Sequence, residues 1–235
     1  MAIPLLLLAV LLAQARQGSG PEGPERGRDR YRNPRDLPGY IAAQEDPGRE
    51  RWQKPDQVLQ ALAIRPGQTV CDIGAGPGYF SLRLARLVGP RGRVYAVDVE
   101  PQVLDALRAR IEKQGLENIT PVLGLGGNSL LAPETCDLIL IVDTYHHFPD
   151  RPAYLRRLVR VLKPGGRIAN VDFQKRATPI GPPMEHRVAR EEFLRDAAAA
   201  ALKVDQEPTF LENQYFIILR RQERATVEIP PPRGS

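Results

Sequence analysis

The chain has 235 residues, 42% apolar and 26% charged, which describes one globular domain with a full core and some extensions. Its two cysteines, Cys71 and Cys136, show no metal-ligand spacing, and with three histidines in all a His/Cys zinc site is excluded. The formal net charge is +5, much of it carried by an Arg-rich stretch near the N-terminus.

The chain begins with a compact apolar run, Ile3 to Leu12, followed by Ala13-Gln14-Ala15, which fits a small-x-small cleavage site. The run is too short to span a bilayer comfortably, and no cysteine follows it to carry a lipid anchor. Residues 1–15 therefore read as a signal peptide, although no Lys or Arg precedes the run. Export to the periplasm or medium follows from that reading, with no transmembrane span after removal; without cleavage the location is cytoplasmic. Residues 16–36, rich in Gly, Pro and Arg, read as a disordered, solvated tether.

Order is expected over 37–221, with a second disordered tail at 222–235. Pro55 opens a helix whose buried stripe is Val58, Leu59, Leu62 and Ala63. Beyond it, strands at 69–73, 93–98, 119–124, 137–142 and 167–172 alternate with helices at 79–88, 101–114 and 151–162. Such alternation, with apolar strands, predicts a parallel sheet covered on both faces. A helix at 190–201 and strands at 204–210 and 214–221 complete the domain. Cys71 and Cys136 fall on different strands, so no disulfide is expected.

The chemistry concentrates at Val70-Cys71-Asp72-Ile73-Gly74-Ala75-Gly76-Pro77-Gly78-Tyr79-Phe80. A strand passing into a helix through glycines brings bare backbone and a positive dipole end close to a ligand. The dinucleotide fingerprint places its third glycine where this chain has Tyr79, and no Gly-Lys-Ser/Thr follows to make a P-loop. Asp72 lies two residues ahead of Gly74, where it would repel a pyrophosphate and suit a cationic ligand. The next strand ends in a second carboxylate, Asp98, at the position suited to ribose hydroxyls.

With these residues, from about Gln53 to Arg221, the chain resembles the class I S-adenosylmethionine-dependent methyltransferases of the type 11 group. The resemblance implies a Rossmann-like, doubly wound, mostly parallel seven-stranded α/β sheet with an antiparallel C-terminal hairpin at its edge. It also implies S-adenosyl-L-methionine as cofactor. Asp72, Gly74, Ala75, Gly76, Gly78 and Tyr79 would lie under its methionine and ribose, Asp98 and Val99 beside the ribose, and Asp143 at the same rim. Relatives often hold the adenine amino group with an acid after the third strand. Here Leu125 stands near that place and Asn128 is the nearest polar substitute. An N-terminal segment covers the cleft in relatives, which makes Tyr40 and Trp52 candidates for a lid.

Methyl transfer needs the nucleophile held in line and, for a neutral nucleophile, a base. Asp143-Thr144-Tyr145-His146-His147-Phe148 follows the fourth strand and is the densest cluster of titratable side chains; Asp172 ends the fifth. His146, Asp172 and Tyr145 are the candidate catalytic groups. The Asp143/Asp172 pair is similar to the divalent-metal carboxylates of catechol-type enzymes, but Phe173 replaces the amide residue found there, so no metal is expected. Glu185-His186-Arg187 falls in a loop that caps the acceptor pocket in relatives. The absence of an Asn/Asp-Pro-Pro-aromatic signature and of a rim cysteine argues against nucleic-acid methylation and for a small-molecule acceptor. Methylation of RNA or protein, and cofactor binding without turnover, are the alternatives.

Overall fold

Apolar strands separated by helical segments bury both faces only when helices cover each side of a parallel sheet. The computed structural model, which describes residues 36–222, has that arrangement. The signal peptide expected at 1–15, the tether at 16–36 except Asp36, and the tail at 222–235 except Gln222 lie outside the described residues.

The strands are β1 (Thr69–Ile73), β2 (Arg93–Asp98), β3 (Ile119–Leu123), β4 (Cys136–Val142), β5 (Leu162–Phe173), β6 (Leu202–Gln206) and β7 (Gln214–Arg221). They form one seven-stranded sheet in the order β3-β2-β1-β4-β5-β7-β6. The first five are parallel, and β7 runs antiparallel between β5 and β6, as the expected edge hairpin. The chain winds outward from β1 to β3 and then returns to β4. The strand order therefore reverses between β1 and β4, and a crevice opens there at the carboxyl ends.

Helices α1 (Leu37–Gln44), α2 (Gly48–Gln53) and α3 (Pro55–Ala61) precede the sheet, and α4 (Ser81–Val88), α5 (Pro101–Lys113), α6 (Arg151–Val161) and α7 (Arg190–Ala199) cross its faces. Val58, Leu84 and Leu107 build the core on one face, and Leu155, Leu158 and Phe193 build it on the other. Asp150 caps α6 by accepting from the Ala153 N–H at 3.0 Å, which satisfies one of the donors a helix start leaves open. Strand β5 begins five residues earlier than the apolar run at 167–172 suggests. Leu162 pairs with Cys136 and Arg167 with Leu138, so the Pro-Gly-Gly segment between them is accommodated as an irregularity in the strand.

The expectation about the cysteines is corrected. Cys71 and Cys136 form a disulfide, both fully buried, with Cα atoms 6.0 Å apart. Separate strands do not imply separation here, because the sheet order makes β1 and β4 neighbours. The bridge closes a sequence separation of 65 residues. On the chain-entropy argument this stabilises the fold by roughly 2–4 kcal/mol. The double variant Cys71→Ser/Cys136→Ser is expected to lose about that much in urea unfolding, and the denatured, unreduced wild type is expected to show no free thiol. A full thiol titre would refute the bridge.

Candidate active site

The glycine loop is fixed to the neighbouring strand before any ligand is considered. Gly74 and Ala75 donate their N–H groups to the Val97 carbonyl at 2.8 and 3.0 Å. Gly74 has φ +76°, and a Cβ there would collide with the Thr144 side chain, so the loop passes β4 at a distance that only glycine permits. The Gly76 N–H donates to Asp98 at 2.8 Å and the Glu100 N–H at 3.0 Å, so one carboxylate ties the loops after β1 and β2 together. Burial pushes the Asp98 pKa up, against the pull of those N–H groups. Gly78 packs its bare Cα against Leu107 of α5 and thus serves helix packing.

Asp98, Val99 and Gly74 line a cavity of about 280 Å³, with Leu125, Gly126 and Thr144 among its other walls. A smaller chamber of about 50 Å³ adjoins it, between Asp72, Ala75, Gly76, Tyr79 and Asp143. Gly74, Asp143 and Thr144 line both, so the two are lobes of one cleft. Asp72 is 3% exposed and accepts from the Ser81 hydroxyl at 2.6 Å. Burial raises its pKa from 3.8 to about 6.

Helices α1 and α2 cover the cleft. Tyr40 lies over Gly76 and lines both lobes, and burial, with Asp98 nearby, pushes its hydroxyl up to about 12. Trp52 turns away from the cleft and packs against Phe173, ring centroids 5.6 Å apart. The only buried residues of α2 are polar, Arg49 and Gln53. Arg49 stacks on Tyr79, 4.0 Å from the ring centroid, and donates to Gln53 and to the Gln44 carbonyl and side chain. Gln53 donates to Asp143 at 3.0 Å. Polar contacts hold this lid, so its opening exchanges hydrogen bonds for water instead of exposing core.

Asp143 follows β4 with φ +50° and accepts from Gln53 and, at 2.6 Å, from Gln214 of β7. Burial, then the charge of Asp172, raises its pKa to about 6. His146 and Asp172 are brought together but away from the cleft. Asp172 is fully buried, accepts from His146 Nδ1 at 3.0 Å and from the Phe173 N–H at 2.8 Å, and the His146 side chain is 4% exposed. Burial opposes charge on His146, yet the Asp172 hydrogen bond and charge prevail and raise its pKa.

Two expectations are corrected by this geometry. Tyr145 is fully buried among Phe148 and Phe193 and donates its hydroxyl to Asp196 of α7, so it belongs to the opposite core and meets no substrate. Asn128 turns its side-chain oxygen to the Leu130 N–H at 2.9 Å, which leaves Leu125 and Gly126 as the cavity wall. Of the Glu185-His186-Arg187 run, Arg187 is buried and gathers the β5–α7 loop. It donates to the Pro182, Gln174 and Arg176 carbonyls and to Thr178 at 2.7–3.1 Å.

Arg49, Gln53 and Gln214 were not legible as site residues. Gln214 carried a faint signal, a polar residue opening an apolar strand at the rim. Nothing in the sequence separates Arg49 from Arg51 in so short a helix.

A model of the methyltransferase domain matches residues 64–214. The arsenite methyltransferase of Halobacterium salinarum is 33% identical over 115 residues, 49% of this chain and 29% of that protein. The ubiquinone/menaquinone biosynthesis C-methyltransferase UbiE of Shewanella frigidimarina is 30% identical over 123 residues, 52% of this chain and 48% of that protein. The chain thus matches about half the length, or less, of these curated relatives. A crystal structure of an S-adenosylmethionine-dependent methyltransferase from Aquifex aeolicus superposes with a TM-score of 0.74 at 27% identity, covering 77% of this chain and 97% of that one.

The buried Asp72 carboxyl links stability to pH. Its pKa is higher folded than unfolded, so its contribution to stability is complete below about 3.8 and is lost as pH rises through about 6. Ionised and buried at pH 8, it costs the fold on the order of 2–3 kcal/mol. Asp72→Asn is therefore expected to raise the melting temperature at pH 8 and to leave it unchanged at pH 4. Differential scanning calorimetry at the two values checks this.

Proposed function

The chain belongs to the methyltransferase-domain family, the class I S-adenosylmethionine-dependent methyltransferases, and from that premise we propose that it methylates a small-molecule acceptor beneath the α1–α2 lid. The family implies use of S-adenosylmethionine, and the residues present suit it. A partly buried carboxylate, Asp98, lines the larger lobe, and Gly76 offers bare backbone where a Cβ would project toward Tyr40. On this reading Asp98 would hold the ribose hydroxyls, Val99 and Leu125 the adenine, and Asp72 the methionine ammonium. When bound, the cofactor supplies an electrophilic methyl group on a sulfonium.

The observation that carries the acceptor class is the hydrogen bond from Gln53 on the lid to Asp143 on the rim, at 3.0 Å. A lid joined across the cleft suits a small molecule enclosed beneath it better than a nucleic-acid strand or protein loop. The named relatives support the same class, since one is named for arsenite and the other for ubiquinone/menaquinone biosynthesis, both small-molecule chemistry. Asp143 lines both lobes of the cleft and, with a pKa of about 6, is mostly ionised at neutral pH, so it can take a proton from a hydroxyl, thiol or amine. The His146–Asp172 pair steadies the loop that carries Asp143, and the Asp172 charge adds to the rise that burial gives the Asp143 pKa while His146 opposes it.

We also propose export, as read from residues 1–15. The buried Cys71–Cys136 disulfide supports it, because such bridges persist in oxidising compartments. A mature N-terminus lying inside residues 1–15 or absent from the exported fraction would contradict it.

Release of S-adenosylhomocysteine, followed across a panel of small acceptors, RNA and protein, tests the function; turnover with macromolecules alone would overturn it. Asp98→Ala is expected to weaken S-adenosylhomocysteine binding by at least about tenfold, the loss of a hydrogen-bonded charge. Asp143→Asn is expected to lower turnover by about 100-fold while binding stays within a few-fold, as for a lost general base. Wild-type turnover is expected to fall as pH drops below about 6, where Asp143 takes up its proton, and that limb should vanish in Asp143→Asn.

A further inference from the structure

Single leucines scattered over a surface need no explanation, but several exposed in one loop do. The three most exposed large apolar side chains among the described residues are Leu123, Leu125 and Leu130, at 48, 59 and 54% exposure. Leu123 ends β3 and the other two follow it in the loop toward β4. Leu130 is held at φ +58°, a conformation that bulky side chains rarely adopt, with its N–H bonded to the Asn128 side chain. A strained backbone here keeps an apolar side chain in water, which folding alone does not reward.

Two neighbours extend this surface. Helix α1 has no charged residue and contributes no buried one, and its Tyr40 and Gln44 line the same cavity as Leu125 and Gly126. On the other side the loop is tied along α6. Arg157 donates to the Gly127 carbonyl, and the Glu134 and Thr135 N–H groups donate to the Arg160 and Val161 carbonyls at 3.0 and 2.8 Å. Arg156, Arg157 and Arg160 are exposed on the solvent side of α6, opposite the buried Leu155 and Leu158. None of the three forms an ion pair among the described residues, whereas Arg151 and Lys163, at the helix start and just past its end, pair with Glu192 and Asp137. Glu134 is the only carboxylate between Gly124 and Thr135.

We propose that α1, the β3–β4 loop and the solvent side of α6 form a docking face for an anionic lipid bilayer. The leucines enter the interface, and the arginines meet the phosphate headgroups. Charge complementarity selects this occupant: cations without carboxylate partners stand beside side chains that gain by leaving water. A second copy of the chain on the same face would bring the unpaired arginines together. A nucleic-acid strand would meet leucines where stacking needs aromatic rings. Attachment of this kind is peripheral and reversible, because partial insertion and headgroup contact hold the protein without a spanning helix.

Hydrogen exchange of the intact chain tests the face, with vesicles of phosphatidylcholine alone and with about a third phosphatidylglycerol. The anionic vesicles should slow exchange in residues 123–130 and in α1, and the neutral ones should not. In co-sedimentation, Arg156→Gln/Arg160→Gln should weaken binding to the anionic vesicles by about 25-fold, about fivefold for each lost headgroup contact. Leu130→Ser should weaken it by at least about fivefold. Circular dichroism of both variants should match the wild type. No slowing with either vesicle overturns the assignment, as does slowing confined to residues 1–35 or wild-type affinity in both variants. Equal slowing at 123–130 from raised protein concentration alone, or from single-stranded RNA, also overturns it, making the face an interface for a second copy or for nucleic acid.

Discussion

Carboxylates along one rim, two buried and two partly buried, govern this structure. Asp72, Asp98, Asp143 and Asp172 stand at or just past the carboxyl ends of β1, β2, β4 and β5, the four strands beside the crevice. Each such group must be hydrogen-bonded or paired to be tolerated away from water. The local architecture meets that need case by case: Ser81 for Asp72, backbone N–H groups for Asp98, two glutamines for Asp143, His146 for Asp172. Compensation is incomplete, and the pKa values of the first three are raised. Two of these carboxylates, Asp72 and Asp143, thereby come to titrate at about 6, close to neutral pH.

The same rim explains how the peripheral segments are held. The lid reaches it through Gln53 and Arg49, and the β5–α7 loop reaches it through Phe173 at the end of β5, which touches Trp52 on one side and Arg187 on the other. Helix α1 buries no residue and α2 buries only polar ones. The sheet, by contrast, has apolar cores on both faces. An apolar-cored sheet thus lies under a cover held by polar contacts, among them the Glu50–Arg83 and Glu45–Arg110 ion pairs. Arg187 keeps the adjoining loop in shape, since its guanidinium satisfies carbonyls that the irregular backbone would otherwise leave without donors.

The sequence by itself determined the strands and helices, and with the resemblance the mostly parallel sheet with its edge hairpin, and it marked out the glycine loop. Strand runs, helix starts at proline and the alternating glycines are local signals, fixed by backbone sterics and period. Asp72 and Asp98 were legible for the same reason, since each lies in a fixed place relative to a strand end. What tertiary structure alone decided is which side chains meet across the crevice. Cys71 and Cys136 bridge because β1 and β4 are neighbours only after the chain returns from β3. Tyr145 and His146 are adjacent in sequence, but a short 3₁₀ turn sends one to Asp196 and the other to Asp172. Arg49 and Gln53 of α2 and Gln214 of β7 come from opposite ends of the domain and acquire meaning only by converging on Asp143. Polar convergence of this kind has no period and no composition, because its energy comes from burial and pairing that exist only once the chain is folded.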